Sequence, residues 1–329
     1  MAQSTDAVSS SEQARFRGVS VLDRLRQVGI LIALLVIGLI FSLLTPSFLT
    51  VSNLFNIAVQ SSITAILGIG MTLVIISGGI DLSIGPIVAL VTVVVATIML
   101  AGTPVWLAIL VGLGIGLVCG VFNGSIISYV GLQPFIVTLG TMSLYRGMAL
   151  VYTNGDPIFK VTAEFREIFG GTYASIPGPI VFMLIVAVIA HLLLNYTRIG
   201  VYIKSIGGNE EAARMSGVRV NFYKMFTYTL NGVFAALAGL VLLGRLGAAE
   251  PIAGAGYELD AIAAAAVGGT SMSGGRGNIP GTILGALILG TLRNGLTLMN
   301  VQAFYQLLAM GIIILVAVTV DRFTRGGKR

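Results

Sequence analysis

Charged residues are scarce in this sequence. Aspartate, glutamate, lysine and arginine make up 10% of its 329 residues, whereas a soluble globular domain carries about 25%. Hydrophobic residues make up 56%, and the mean hydropathy is +0.98. This composition excludes a soluble globular enzyme, because most of the chain is suited to hydrocarbon rather than to water. The sequence therefore predicts a protein that crosses a membrane several times.

The residues and motifs that usually carry catalysis are also missing. Cys119 is the only cysteine, which excludes an internal disulfide and a thiolate metal cluster. No complete G-x-x-x-x-G-K-[ST], G-x-G-x-x-G or G-x-S-x-G motif occurs. We therefore expect no catalytic residue, metal site, cofactor or nucleic-acid partner for this chain. If ATP drives the protein, another polypeptide binds the ATP and magnesium and hydrolyses the nucleotide.

Apolar segments of membrane-spanning character recur along the whole chain. They predict an all-α polytopic membrane protein with about ten transmembrane helices and a single transmembrane domain over 28–320. A polar segment, 1–27, precedes this domain, and a tail, 321–329, follows it. The segments are 28–44, 54–76, 86–101, 105–127, 135–152, 179–195, 223–246, 261–273, 281–298 and 303–320.

Basic residues give the predicted orientation. With ten crossings, fourteen of the 19 lysines and arginines lie in the termini and in loops assigned to the cytoplasm, and only Lys160 and Arg166 lie in outer loops. This bias is typical of cytoplasmic segments. We therefore expect both termini to be cytoplasmic.

Glycines repeat every four residues along the fourth apolar segment. Such a ridge lets a neighbouring helix approach to backbone contact, which favours helix association in lipid. We expect close packing rather than a gliding surface. The four glycines are Gly112, Gly116, Gly120 and Gly124.

Two polar, glycine-rich stretches interrupt the apolar pattern, and irregular backbone at membrane depth usually lines a cavity or is buried in protein. Asp81 lies in the first stretch. Its carboxylate can cap the following helix and anchor the loop, line a solute path, or couple transport to protons. The candidates for the translocation path are Gly78, Gly79, Asp81 and Ser83 in the first stretch, and Gly268, Gly269 and Ser271 in the second.

The longest basic loop, 196–222, contains the signals of a two-turn helix. Asn209 is a good N-cap, acidic residues follow at the positive end of the helix dipole, and Gly217 can adopt the left-handed stop. A helix this short is unstable alone, so something must hold it, and Ala212 and Ala213 would let a partner come close. The residues of this predicted two-turn helix are Gly208, Asn209, Glu210, Glu211, Ala212, Ala213, Arg214 and Gly217.

Three carboxylates cluster in segment 247–260, which the predicted topology places outside. Glu250, Glu258 and Asp260 would form an acidic outer rim. They are either ordinary solvated loop charges or a docking surface for basic residues of a delivery protein.

Five ordered segments resemble the ribose-type permeases of bacterial ABC sugar importers, within the carbohydrate and branched-chain amino-acid permease family. They are GMTLVIISGGIDLSIG (70–85), RGMALVYTNG (146–155), GGNEEAARMSGV (207–218), GAGYELDAIAAAAVGGTSMSGGRG (254–277) and GTILGALILGTLRNGL (281–296). The resemblance extends over nearly the whole chain after residue 28.

The resemblance implies a type II ABC importer-like permease in the bacterial inner membrane. Its partners would be a second permease copy, two ATP-binding domains that are commonly fused, a periplasmic sugar-binding protein and membrane lipid. The helix near Asn209 would seat in a groove of the ATPase. The substrate would be a ribose-like monosaccharide, although a branched-chain amino acid stays open. A different alternative is a proton-coupled secondary transporter that uses Asp81.

Overall fold

A computed structural model describes residues 28–325, so the predicted cytoplasmic segment 1–27 and the end of the tail, 326–329, lie outside the described residues. Within the described range the chain is helical, with four strands of two residues each. The elements are α1 (Val28–Leu44), α2 (Val51–Ile76), α3 (Ile84–Leu100), α4 (Val105–Ser125) with a π-helical extension (Ile126–Val130), α5 (Pro134–Thr153), β1 (Ile158–Phe159), α6 (Ala163–Gly170), β2 (Thr172–Tyr173), β3 (Ile176–Pro177), α7 (Gly178–Tyr196), α8 (Arg198–Gly208), α9 (Glu210–Met215), α10 (Val220–Leu246), β4 (Ala248–Ala249), α11 (Tyr257–Val267), α12 (Ile279–Leu298) and α13 (Ala303–Arg325).

Six helices in the described range are long and apolar enough to cross a membrane. They are α2, α4 with its π extension, α5, α7, α10 and α12. The all-α, multi-span prediction is confirmed, but the figure of about ten spans is not established. The predicted span 261–273 needs correction, because α11 ends at Val267. Its 11 residues rise only about 16 Å, against a hydrocarbon core of about 30 Å.

Helices α2 and α10 form the centre of the molecule. Most of their residues are buried, whereas α4, α5 and α7 each bury only a minority and expose one apolar face. Exposed aliphatic side chains such as Leu110, Val118 and Val188 cover these faces. Faces of this kind suit lipid rather than water, in agreement with a multi-pass membrane protein.

The predicted glycine ridge of α4 packs directly on α10. A methyl group on Gly116 would collide with the carbonyl oxygen of Gly232, and one on Gly120 would lie 2.5 Å from the carbonyl oxygen of Tyr228. Gly124 makes a similar contact with the backbone of Met225, whereas Gly112 lies against the side chains of Val95 in α3 and Leu240 in α10. The prediction of close packing is therefore confirmed, and three of the four glycines bring the backbones of α4 and α10 together.

The two ends of α10 carry different structures. At its C-terminal end, β4 pairs antiparallel with β1, and Gly170 of α6 packs on Gly244. At its N-terminal end lie α8 and α9. The 27 residues of α10 separate these ends by about 40 Å. Segments 154–177 and 247–256 therefore share one face, as the topology prediction requires, and α9 lies at the opposite face.

A third irregular segment, 247–256, enters the helical layer, which the sequence did not predict. The Arg146 guanidinium, within α5, donates hydrogen bonds to the carbonyl oxygens of Pro251 and Ala253, both at 2.8 Å. The backbone of Gly254 also contacts Gly85 at the start of α3. Arg146 thus satisfies carbonyl groups that a helix would otherwise satisfy, as irregular backbone within a membrane requires.

Candidate coupling helix and interrupted segments

Helix α9 forms where the capping signals place it. The Asn209 side chain accepts a hydrogen bond from the Ala212 backbone N–H at 2.9 Å, which satisfies one free donor at the helix start. The helix runs from Glu210 to Met215, and Gly217 follows in the left-handed conformation with φ of 81°. The Val218 N–H then donates to the Ala213 carbonyl at 3.1 Å, which closes the C-terminus.

Glu210 fastens α9 to the base of α10. Its carboxylate accepts from Lys224 Nζ at 2.9 Å and from Arg214 at 3.1 Å. Partial burial raises the pKa of Glu210, but the hydrogen bonds and positive charges of Lys224 and Arg214 outweigh this effect, so its pKa lies below the ordinary value. Glu210 is therefore occupied within its own chain.

Ala213 is also directed inward. It is 6% exposed and packs with Ile206 of α8 and Val220 of α10. The expectation that Ala213 leaves room for a partner is therefore wrong, because its methyl group fills the space between α9 and its own neighbours. The exposed residues of α9 are Glu211, Ala212, Arg214 and Met215. Met215, which the sequence analysis did not single out, is 81% exposed.

Asp81 lies in a closed polar network in the first interruption. It is 0% exposed. One carboxylate oxygen accepts from the Ser83 backbone N–H at 3.0 Å and from the Ser83 hydroxyl at 2.6 Å, and the other accepts from Asn231 Nδ2 at 2.9 Å. These three donors anchor the loop that precedes α3 and hold it against α10.

The network continues into α4 and α5. Asn123 Nδ2 donates to the Ser83 hydroxyl oxygen at 2.7 Å, and the Tyr145 hydroxyl donates to Asn123 Oδ1 at 3.1 Å. Asn123, Tyr145 and Asn231 were not predicted as functional residues. Single carboxamides inside apolar runs, as in VFNG and TLNG, are the signal that could have found two of them.

The glycines of the first interruption allow close approach. Gly78 has φ of 89°, in the region that favours glycine. A side chain on Gly79 would collide with the Tyr228 hydroxyl, which itself donates to the Ile80 carbonyl at 3.5 Å. A side chain on Gly79 would therefore collide with α10, whereas one on Gly78 would strain its left-handed backbone.

The second interruption, 268–278, is likewise non-helical. Gly268 lies against the backbone of Gly281 in α12, and Gly269 has φ of 87°. Ser271 is buried, and its backbone N–H donates to the Arg276 carbonyl at 2.9 Å. The two interruptions meet where the Gly275 N–H donates to the Ile76 carbonyl at 2.9 Å. A solute-path role for these residues stays a prediction.

The predicted acidic rim does not form as one exposed surface. Asp260 is 7% exposed, and its two oxygens accept from Arg293 at 3.2 and 3.0 Å. Glu258 is partly buried and accepts from the Gly256 N–H at 3.2 Å. Burial of these carboxylates beside α3 and α12 removes them from the surface. Only Glu250 is exposed, and its docking role stays a prediction.

Comparison with known proteins supports the resemblance. Residues 53–318 match the family model described as "Branched-chain amino acid transport system / permease component". The chain is 47% identical to the ribose import permease protein RbsC of Escherichia coli K12 over 88% of this chain and 92% of the relative. The corresponding protein of Bacillus subtilis is 46% identical over 95% and 97%.

Permeases named for other sugars are also similar. The D-allose transport system permease protein AlsC of Escherichia coli K12 is 44% identical over 86% of this chain and 87% of that protein. The galactose/methyl galactoside permease MglC of the same organism is 38% identical over 94% and 98%. No solved structure matches. The chain therefore belongs to the family described as the permease component of branched-chain amino acid transport systems.

Proposed function

We propose that this chain is the permease subunit of an ATP-driven ABC importer that carries a ribose-like monosaccharide across the bacterial inner membrane. Its relatives with 44–47% identity are named for ribose or allose, which favours a sugar over a branched-chain amino acid. The permease itself hydrolyses no ATP, because a separate subunit performs that step.

The observation that carries the proposal is the construction of α9. Glu210 and Ala213 fix this short helix to α8 and α10, while Met215 and Glu211 are exposed beside it. A helix that is held on one side and bare on the other suits a docking element for another protein. Five basic residues flank or belong to α9, which favours the cytoplasmic face and cytoplasmic termini. They are Arg198, Lys204, Arg214, Arg219 and Lys224.

The remaining partners follow from the same assignment. A tandem ATP-binding protein would contact α9 at one end, and a sugar-binding protein would contact the face that carries α6 and β1–β4. A second copy of the permease would complete a central path. The Asp81 network would hold the first interruption in shape beside that path, because its three donors leave the carboxylate fully engaged.

Gentle purification from the native membrane tests the proposal. We expect an ATPase with two nucleotide sites to co-purify with the chain. Met215→Asp should abolish this association, because it replaces the most exposed apolar side chain of α9 with a negative charge. Glu164→Ala, on the exposed surface of α6 at the other end of α10, should not. Co-purification unchanged by Met215→Asp would contradict the assignment of α9.

A further inference from the structure

Three segments of backbone meet beside α9 without side chains between them. Ile76 is the last residue of α2, the helix that precedes the first interruption. Its carbonyl oxygen accepts a hydrogen bond from the N–H of Gly275, in the second interruption, at 2.9 Å. The end of α8 lies against both of them. We call the set Ile76, Gly207, Gly274 and Gly275 the glycine junction.

Gly207 is the most tightly enclosed member of the glycine junction. A methyl group at this position would overlap the Ile76 carbonyl oxygen and lie 2.6 Å from the Gly275 nitrogen. A methyl group on Gly274 would in turn lie 2.6 Å from the Gly207 carbonyl oxygen. The contacts of Gly207 with Ile76, Gly274 and Gly275 are therefore backbone against backbone.

This geometry leaves little freedom for independent movement. A flexible side chain can absorb a shift between two helices, but a close-packed backbone contact passes the shift on. Gly207 lies three residues before Glu210, where α9 begins, and Asn209 joins the two helices as the cap. Displacement of α9 must therefore press on both interrupted segments at the same point.

We propose that Gly207 is the positioning residue through which movement of the ATPase-contacting helix α9 reaches both interrupted segments at once. The inference rests on the proposed function, because it requires an ATPase to move α9. It goes beyond that function by assigning the route of transmission to one backbone contact. The Asp81 loop follows Ile76 in the chain, so the route leads directly to the network that holds the start of α3.

Adjacent glycines provide a matched pair of variants. Gly207→Ala introduces the collision described above, whereas a methyl group on Gly208 meets nothing within 4 Å. Both residues belong to the helix α8, where alanine is intrinsically favoured over glycine. The two substitutions therefore differ in the glycine junction and not in helix propensity.

The measurement uses the complete transporter in proteoliposomes. For Gly207→Ala we expect the ATPase to remain bound and to keep its basal activity, while stimulation by sugar-loaded binding protein falls at least tenfold. Gly208→Ala should stay within twofold of the unmodified transporter on every readout. If the unmodified transporter shows no ATP-dependent uptake, the proposed function fails, independently of either glycine.

A label reports on the second interruption itself. Ser273 is exposed and Cys119 is buried, so Ser273→Cys supplies the accessible thiol. We expect ATP and vanadate to change its modification rate at least threefold in the otherwise unmodified transporter, and this change to vanish when Gly207→Ala is added.

Three results would overturn the assignment of Gly207. They are retained coupling within twofold in Gly207→Ala, loss of the bound ATPase in that variant, and a Ser273→Cys label that does not respond to nucleotide in the otherwise unmodified transporter. The last of these results would overturn the assignment even if Gly207→Ala fails to insert into the membrane.

Discussion

Asp81 and Glu210 are both carboxylates that hold a short piece of structure in place, but their partners differ. Glu210 accepts from the cationic side chains of Lys224 and Arg214 and is partly exposed. Asp81 is fully buried and accepts from a backbone N–H, a hydroxyl and a carboxamide. At the surface, solvent helps to stabilise an ion pair, whereas inside the bundle the carboxylate depends on its neighbours alone.

This difference predicts which of the two regions tolerates substitution. Loss of an exposed ion pair costs little, because water replaces the missing partner. Loss of a buried acceptor leaves several donors without a partner, and each such donor carries a desolvation cost. Substitution of Asp81 should therefore cost much more stability than substitution of Glu210.

Asp81→Ala should have the largest effect. It strips the acceptor from Asn231, from the Ser83 hydroxyl and from the Ser83 N–H, and a single orphaned buried group costs about 1–3 kcal/mol. We expect loss of more than about 3 kcal/mol of stability and no uptake, measured by thermal unfolding in detergent and by membrane abundance. The exposed Asp156→Ala is the control. An unfolding temperature equal to that of the control would contradict the role of the network.

Arg293→Ala should have an intermediate effect. It leaves the buried Asp260 carboxylate without its cation. Removal of one partner from a fully buried pair costs about 3–5 kcal/mol, and the 39% exposure of Arg293 brings our expectation to about 2 kcal/mol. The double variant Asp260→Asn with Arg293→Ala should recover at least half of that loss in thermal unfolding. A double variant as unstable as Arg293→Ala would show that the ion pair is not the cause.

Glu210→Gln should have a smaller effect, about 0.5 kcal/mol on stability, as for other exposed ion pairs. We expect ATPase stimulation by the binding protein to fall two- to threefold, because α9 is held less firmly on α10. The double variant Glu210→Lys with Lys224→Glu, which exchanges the two charges, should restore part of the lost ATPase stimulation. Equal ATPase stimulation in Glu210→Gln and in the unmodified protein would show that the ion pairs of Glu210 have no part in coupling.

The ion pairs of Glu210 with Lys224 and Arg214 stabilise the fold in a pH-dependent way. The pKa of Glu210 is depressed in the folded protein, so these ion pairs stabilise the fold fully above the ordinary glutamate pKa. That stabilisation is lost as the pH falls through the depressed pKa. Between pH 6 and 8 the thermal unfolding difference between the unmodified protein and Glu210→Gln should therefore be constant. A difference that varies across this range would contradict the assignment.

Glu250→Gln should have the smallest effect. This carboxylate is exposed at the face that carries β4, and a rim charge acts mainly on the rate of association. We expect the binding protein to associate about two- to threefold more slowly at low salt, with no difference at high salt. A salt-independent loss of affinity would assign Glu250 a closer contact than the exposed position suggests.

Local features could be predicted from the sequence because neighbouring residues decide them. Asn209 caps α9 and Gly217 ends it through bonds within a few residues, and the four-residue glycine repeat of α4 needs only one helix to define it. The family could likewise be predicted from the five ordered motifs, and the similarity to known permeases confirms it.

Long-range features could not be predicted in the same way. Asn231 lies 150 positions from Asp81, and only the packing of α10 on α3 brings them together. The inward orientation of Ala213 and Asp260 depends on neighbours supplied by other helices. Segment 247–256 enters the helical layer because Arg146 satisfies its carbonyl groups, and that guanidinium belongs to α5. Hydropathy alone could not distinguish this segment from a surface loop.

Reconstituted transport tests the central claim, that the chain moves sugar with energy supplied by a separate ATPase through α9. The chain is placed in liposomes with or without its ATPase and sugar-binding protein, and radiolabelled ribose uptake is measured with ATP or with a proton gradient. We predict accumulation only when the ATPase, the binding protein and ATP are all present. Accumulation by the chain alone under a proton gradient, abolished by Asp81→Asn, would contradict the account.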